Sequence, residues 1–329
     1  MRELAETARQ WAAQGRTGVL ARPLTEQGFG PRRPDDALLI DQDGHCSGTL
    51  YRGVFDAHLA AQAAALPGDH TAAVREVSVH DGEVKRAGLT CGGRAEVLLQ
   101  SLDTVPARWW DLLAQGADAA LITRLDETRT RVSSTVTTPE AEGGAGPAQA
   151  VARARELLGR RRAGRDLHAT DDGLVLIETC PAVPRLVIVG EGELAGLLDA
   201  QARLLGWHAT VEPAAEGAVR LLAERPAAAC LIVLSHEPDV DVPVLHDALT
   251  RGVPYVGALG SRHTQARRAA ELAKAGLDDT RLGRIHGPIG LDLGARTPAE
   301  TALAICAEVL AALDGRQVHV AAAATRSSG

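Results

Sequence analysis

The glycine-rich stretch VIVGEGELAGLL, which begins at Val187, has residue types and spacing that could hold a phosphate. Its apolar run predicts a buried β-strand that ends in a glycine turn and opens a helix. Gly190 allows the sharp turn, Gly192 allows a ligand to approach the backbone, and Gly196 allows the helix to pack closely on the sheet. Because a helix N-terminus offers free amide donors, the stretch predicts a phosphate cradle without identifying the ligand.

A carboxylate follows the glycine stretch at the end of the next predicted strand. Glu212 stands about where dinucleotide-binding folds place the residue that accepts a ribose hydroxyl. The spacing is GxGxxxG rather than GxGxxG, and the side chains of Glu191 and Glu193 weaken the attraction of the loop for phosphate. A nicotinamide nucleotide, another phosphate-bearing cofactor, and a fold retained without either ligand therefore all remain open.

Two further stretches, LSHEPDVDVPVL and YVGALGSRHTQARR, carry polar residues where predicted strands end. The carboxyl ends of the strands form the ligand edge of an open parallel sheet. We expect the histidine and both aspartates of the first stretch in the turn after its strand, where the histidine is the best general acid or base. The first aspartate and the serine could instead only cap the following helices. The candidate binding residues at this edge are His236, Asp239, Asp241, Gly260, Ser261 and Arg262.

A third stretch, IHGPIGLDLGARTPAE, is an irregular segment rich in glycine and proline. It predicts a helix with Thr297 as N-cap, Pro298 in the first turn and Glu300 completing a capping box. Asp292 and Arg296 could form a structural pair in this segment or bind a ligand.

The strand and helix pattern divides the chain into two parts of different class. From Arg185 onwards, short apolar runs alternate with amphipathic helices, which is typical of a parallel sheet with helices on both faces. The first part lacks this rhythm. It predicts strands mixed with helices, including a hairpin about Asp81-Gly82, a helix over VARARELLGRRRAGR and a linker that contains Cys180. The fold class is therefore α/β, with a C-terminal Rossmann-like doubly wound parallel sheet preceded by an α+β N-terminal domain.

A length of 329 residues suits two domains. We expect the N-terminal domain over residues 1–182 and the Rossmann-like domain over residues 183–316. Residues 317–329 form a small polar tail that we expect to be disordered. Twofold symmetry is the commonest among soluble oligomers, and this frequency alone favours a homodimer.

Charge and composition exclude several classes of function. The formal net charge is -7 and no basic stripe is present, which argues against nucleic-acid binding. No apolar run reaches the roughly 18 residues that a membrane span needs. The five cysteines are scattered and odd in number, which is not typical of a disulfide framework or of a zinc site. We therefore expect a cytoplasmic protein.

In this order, the C-terminal stretches resemble the xanthine dehydrogenase accessory family, called XdhC/CoxI. The resemblance is close from Pro184 to Leu313, on SHEPDVDVPVL, YVGALGSRHTQARR and GPIGLDLGARTPAETALAICAE. The N-terminal half resembles the family more loosely. There LTCGGRAEVLL looks like the family's Cys-Gly-Gly segment, which puts the family cysteine on Cys91. In RGVFD, Val54 stands where the family's Gly-Gly-Cys-Val-Glu motif has its second cysteine.

The resemblance implies a maturation factor. Members of the family bind the molybdenum cofactor, molybdopterin, assist its sulfuration and deliver it to a molybdenum hydroxylase such as xanthine or carbon monoxide dehydrogenase. The implied partners are that hydroxylase and a cysteine desulfurase. Cys91 would then be a ligand to the soft metal or a redox thiol, and Val54 puts the need for a second thiol in question.

An enzyme is the alternative interpretation, because the sequence leaves open whether the chain catalyses a reaction. An NAD(P)-dependent oxidoreductase would hold its dinucleotide with the glycine loop and Glu212 and would use His236 as general acid or base on a small substrate. The remaining candidates at the ligand edge would then orient the substrate or the cofactor.

Overall fold

The structure is a computed structural model that describes residues 1–29, 36–68, 70–79, 91–141, 146–161 and 163–314. The chain divides into two compact units, Met1–Ala182 and Val183–Gly329. The hairpin turn expected at Asp81-Gly82 and the tail expected from residue 317 lie outside the described residues.

The first unit contains two antiparallel sheets. Its strands are β1 (Gly18–Gly28), β2 (Leu38–Asp41), β3 (Cys46–Gly48), β4 (Ala72–Val79), β5 (Gly93–Ser101), β6 (Ala119–Leu125), β7 (Val132–Thr137), β8 (Gly164–Thr170) and β9 (Gly173–Cys180). Its helices are α1 (Ala5–Ala13), α2 (Asp56–Ala64), α3 (Ala107–Ala114) and α4 (Ala148–Gly159). One sheet has the order β3-β2-β1-β5-β4 and the other has the order β7-β6-β9-β8, which confirms the α+β class.

Two expectations for the first unit were wrong. The helix predicted over VARARELLGRRRAGR ends at Gly159, and the residues from Gly164 form β8, because pairing with β9 outweighs their helical propensity. Cys180 is the last residue of β9 and is buried, so it does not lie in a linker.

A buried ion pair joins the two sheets of the first unit. The fully buried guanidinium of Arg22 on β1 lies 2.7 Å from the carboxylate of Glu178 on β9 and donates a hydrogen bond of 3.1 Å to Thr123 on β6. It also donates to the side-chain oxygen of Gln100 on β5. Burial lowers the pKa of Arg22, while the Glu178 charge opposes that change. Arg165 adds a second cation at 3.0 Å from Glu178.

The second unit is a three-layer α/β/α sandwich. Its strands are β10 (Arg185–Val189), β11 (His208–Val211), β12 (Ala229–Val233), β13 (Tyr255–Ala258) and β14 (Ile285–His286). Its helices are α5 (Glu193–Leu204), α6 (Ala215–Glu224), α7 (Pro238–Arg251), α8 (Arg262–Lys274), α9 (Asp279–Leu282) and α10 (Pro298–Leu313). All strand pairs are parallel, in the order β11-β10-β12-β13-β14, which confirms the predicted doubly wound sheet.

The continuous apolar run of β10 follows from helices on both faces of the sheet. Leu186 and Ile188 pack in one buried cluster with residues of α5 and α10. Val187 and Val189 point to the opposite face, in a cluster with residues of α6, α7 and α8. A strand covered on both faces must be apolar at every position, which explains why this segment does not alternate.

The N-terminus of α10 agrees with the prediction from the sequence. Thr297 accepts a hydrogen bond from the backbone of Glu300 and the Glu300 side chain reaches back, so the predicted capping box of α10 is confirmed.

Within the described residues, no helix is both long and apolar enough to cross a membrane.

We expect Glu178→Gln to destabilise the first unit by about 3–5 kcal/mol, because the substitution leaves Arg22 buried without its nearest counter-charge. Glu6→Gln, which removes an exposed carboxylate from the same unit, should change stability by less than about 0.5 kcal/mol. The measurement is urea unfolding followed by tryptophan fluorescence, since Trp11, Trp109 and Trp110 lie buried in this unit. Equal midpoints for the two variants would show that the pair does not hold the sheets together.

Candidate functional site

The strand order of the second unit creates a crevice between β10 and β12. The helix that follows β10 covers one face of the sheet, and the helix that follows β12 covers the other. Ligands bind at such a switch point, outside the carboxyl ends of the strands. Gly190 has a φ of +122° there, and a Cβ atom on it would lie 3.1 Å from the backbone nitrogen of Ser235. The glycine therefore permits the turn and the close approach of the two strand ends.

Gly192 leaves the N-terminus of α5 open. It is the N-cap residue of α5, with a φ of +99°, and no side chain caps the first turn. A Cβ atom on Gly192 would meet no atom within 4 Å, so the space beside its α-carbon is open. The side chains of Glu191 and Glu193 are exposed beside this opening. A phosphate fits these donors, and the two carboxylates reduce the attraction.

The role expected of Gly196 was wrong. This residue is exposed, and a Cβ atom on it would also meet no atom within 4 Å. The packing of α5 against the sheet comes from the buried side chains of Ala195, Leu198 and Ala202. Gly196 is therefore not required for close contact between the helix and the sheet.

Glu212 follows β11, which is the strand next to β10. Its backbone N–H donates to the carbonyl of Ile188 at 2.9 Å. Its carboxylate accepts a hydrogen bond of 3.0 Å from the backbone N–H of Ala214 and lies where a Cβ atom on Gly217 would clash. The carboxylate thus stabilises the turn before α6, at the sheet edge where the sequence predicts a ribose contact.

Asp241 does not lie in the turn after β12 but in α7, where it is buried to 2% exposure. Its carboxylate accepts hydrogen bonds of 2.6 and 2.8 Å from the guanidinium of Arg268 on α8 and a further one from the hydroxyl of Ser235. Arg268, at 4% exposure, also donates to the carbonyls of Ser235, at 2.7 Å, and Leu259. This buried pair therefore ties together the carboxyl ends of β12 and β13.

His236 and Asp239 are exposed on the solvent side of the same segment. Asp239 lies inside α7 and is not its N-cap, since that position belongs to Glu237. The structure thus separates the histidine and the two aspartates into one buried structural carboxylate and two exposed side chains. Arg268, which the sequence did not single out, is the partner that determines this division.

Gly260, Ser261 and Arg262 begin α8. Gly260 has a φ of +134°. Ser261 accepts a hydrogen bond of 3.3 Å from the backbone N–H of Thr264, which confirms it as the N-cap of α8. Arg262 is the first residue of the helix, and its side chain is exposed. It could meet an anion at this edge of the sheet.

A further cluster of polar side chains, absent from the sequence prediction, lies at the end of β14. The Glu308 carboxylate of α10 accepts hydrogen bonds from the hydroxyl of Tyr255, at 2.6 Å, and from the backbone N–H of Gly290, at 2.8 Å. Nδ1 of His286 lies 3.3 Å from its other oxygen. Burial raises the pKa of Glu308, but these hydrogen bonds outweigh it and hold the pKa below its ordinary value. Burial and the Glu308 charge raise the pKa of Tyr255.

Cys91 lies in the first unit, two residues before β5, with an exposed side chain. Both glycines that follow it contact the backbone of Phe29, and the second must be a glycine. The carbonyl of Gly92 accepts a hydrogen bond of 3.0 Å from the backbone of Phe29, and a Cβ atom on Gly93 would lie 2.6 Å from that same nitrogen. Val54 packs against the hydrophobic cluster that contains Phe29, and the ring centroid of Phe55, the next residue, lies 6.2 Å from that of Phe29. The two segments that resemble the family's cysteine motifs therefore both contact Phe29.

Asp41, Asp43 and His45 form a group of possible metal ligands in the first unit, with ligand atoms within 4.8 Å of one another. Arg16 pairs with both carboxylates, at 3.7 Å from that of Asp43. Asp41 also accepts hydrogen bonds from the backbone N–H groups of Asp43 and His45. The group is therefore explained as a tight turn whose carboxylate charges are neutralised by an arginine.

The second unit is similar to a known protein family. Residues 186–309 match the family model described as the XdhC Rossmann domain. YqeB of Escherichia coli (strain K12), described as an uncharacterized protein, is 28% identical over 173 residues, which cover 45% of this chain and 31% of YqeB. The chain thus spans less than a third of that relative.

A solved structure from Bacillus halodurans, described as a xanthine dehydrogenase, matches both units. Its TM-score is 0.61 at 19% identity, over 95% of this chain and 96% of that chain. At this identity the likeness shows the fold alone.

We expect Asp241→Asn to destabilise the second unit by about 3–5 kcal/mol, because the charge of Arg268 would remain buried without a counter-charge. Asp239→Asn is the matched control, since it makes the same change on the same helix at an exposed position, and its effect should stay within about 0.5 kcal/mol. Hydrogen exchange with mass spectrometry should show loss of protection in the peptides of α7 and α8 for the first variant only. Unchanged exchange in Asp241→Asn would contradict a structural role for the pair.

Proposed function

The C-terminal domain of this chain belongs to the XdhC Rossmann domain family, and on that premise we propose that the protein is an accessory factor for a molybdenum hydroxylase of the xanthine dehydrogenase type. In this proposal it binds the molybdenum cofactor, assists its sulfuration together with a cysteine desulfurase, and passes it to the hydroxylase. The description of the structurally similar Bacillus halodurans protein supports the choice of this enzyme system.

The observation that carries the proposal is the open N-terminus of α5 at Gly192. The molybdenum cofactor is a pterin that carries a phosphate or a nucleotide, and it therefore needs an anion site with backbone donors. Gly192 offers a positive φ, a helix turn without a side-chain cap and open space beside its α-carbon, at the switch point of the sheet. These residues fit the phosphate of the cofactor.

Other residues of the chain have structural and metal-binding roles in this proposal. Gly190 brings the ends of β10 and β12 together, and the pair between Asp241 and Arg268 holds β12 and β13 in place beside them. Within the first unit, the exposed thiol of Cys91 is a separate candidate ligand, which would bind a soft metal as a thiolate. The bound cofactor would supply the molybdenum centre on which the target enzyme depends.

Ligand identification on the purified protein tests the proposal directly. Small molecules are released by denaturation under anaerobic conditions and analysed by mass spectrometry for pterin and nicotinamide species, with molybdenum measured on the same sample. Pterin together with molybdenum supports the cofactor-handling role. A nicotinamide nucleotide without molybdenum would overturn it in favour of an NAD(P)-dependent oxidoreductase with its substrate near His236.

We expect Gly192→Val to lower retention of the phosphate-bearing ligand by about tenfold to a hundredfold, because the side chain would block charge-assisted hydrogen bonds from the helix amides. Gly196→Ala changes another glycine of the same loop, where a Cβ atom meets no neighbour, and should retain the ligand. Ligand per protein is measured after gel filtration, and circular dichroism checks that both variants fold.

The double variant Glu191→Gln with Glu193→Gln tests the same cradle without touching the glycines. Removal of two exposed negative charges should raise the affinity for a phosphate-bearing ligand and reduce its dependence on salt. Unchanged affinity in this variant, combined with full retention by Gly192→Val, would place the ligand elsewhere.

We expect Cys91→Ser to lose most of the bound molybdenum, because a hydroxyl is a poor ligand for a soft metal. Cys46→Ser is the matched control, since Cys46 is also exposed in the first unit. Molybdenum per protein is measured by mass spectrometry after anaerobic reconstitution with the cofactor. If both variants bind equal amounts of molybdenum, Cys91 is not a ligand of the metal.

A further inference from the structure

We propose that His286, oriented by Glu308, is a second ligand subsite at the carboxyl edge of the sheet, and that it accepts a hydrogen bond from a ring N–H of a nitrogen heterocycle. The inference rests on the proposed function and deepens it. It assigns the phosphate end of the ligand to Gly192 and the heterocyclic end to His286.

The carboxylate of Glu308 determines which nitrogen of His286 carries the proton. One carboxylate oxygen accepts hydrogen bonds from Tyr255 and Gly290, and the other lies 3.3 Å from Nδ1 of His286. The hydrogen bonds hold the pKa of Glu308 below its ordinary value, so the group is an ionised acceptor at neutral pH. Nδ1 must therefore donate, and neutral His286 presents the lone pair of Nε2 on the other side of the ring.

Packing fixes the plane of the imidazole. The ring centroids of His286 and Tyr255 lie 4.7 Å apart, with an angle of 31° between the planes. Gly257 stands opposite His286 in the strand pair, and a Cβ atom there would lie 2.8 Å from the Tyr255 hydroxyl and would clash with Ile289. The His286 side chain remains 36% exposed, which leaves the ring accessible to a ligand.

The position of β14 sets the size of the ligand. Strands β10 and β14 are separated by β12 and β13, so their carboxyl ends lie three strand spacings apart on the same edge, about 14 Å. A ligand that reaches both Gly192 and His286 must be extended and must carry a phosphate at one end and a hydrogen-bond donor at the other. A pterin with a phosphorylated side chain has this chemistry, whereas a simple sugar phosphate lacks the ring N–H.

The test compares two probes that share a phosphate. Neopterin monophosphate carries the heterocycle, and glycerol phosphate does not. His286→Phe keeps an aromatic ring against Tyr255 and removes both ring nitrogens. It should weaken binding of neopterin monophosphate by about fivefold to twentyfold, the loss of one hydrogen bond, and leave the affinity for glycerol phosphate unchanged. His208→Phe, an exposed histidine at the amino end of β11, should change neither affinity.

Glu308→Gln tests the positioning role by a separate measurement. A glutamine amide can donate to Nδ1, so the proton of His286 should move towards Nε2, and nitrogen chemical shifts of the imidazole, assigned with His286→Phe, report that change. The same variant should weaken binding of neopterin monophosphate as His286→Phe does. A wild-type protein with its proton on Nε2 would overturn the assignment.

The outcomes separate this inference from the proposed function. If both probes bind and His286→Phe weakens neither, the second subsite is overturned and the phosphate cradle stands. If neither probe binds, both proposals fail. A loss confined to neopterin monophosphate in His286→Phe and in Glu308→Gln is the expected result.

Discussion

The ligand edge of the second unit depends on one buried ion pair. Asp241 and Arg268 come from two different helices, and each would be costly to bury alone. Together they satisfy one another, and the remaining donors of Arg268 reach the carbonyls that end β12 and β13. The segments that carry His236 on one side and Gly260 on the other therefore leave the sheet from fixed points, and the surface of the crevice is already arranged.

The parts of this site that depend on local chemistry could be predicted from the sequence. The apolar run before Gly190 indicated a strand covered on both faces, and Thr297 with Glu300 indicated a helix start, because both signals lie within a few residues. The motifs of the C-terminal half also indicated the XdhC family, and the match over residues 186–309 confirms that resemblance.

The parts that depend on distant partners could not be predicted. Asp241 is one of several acidic residues in its stretch. Its structural role comes from its hydrogen bond with Arg268, which lies on the next helix. Glu308 reads as an ordinary helix residue until Tyr255 and His286 surround its carboxylate. Gly196 fitted a familiar spacing, but a motif does not reveal whether a neighbour is close enough to require a glycine.

The pair between Arg22 and Glu178 has a consequence for biosynthesis. It joins the first strand of the first unit to the last, and the sheets on either side of it pair β1 with β5 and β6 with β9. Contacts of such long sequence separation form slowly. Arg22 cannot pair with Glu178 until almost the whole unit has left the ribosome, because Glu178 lies near the end of that unit. The first unit is therefore expected to complete its folding as the chain of the second begins to emerge, so that translation itself orders the two events.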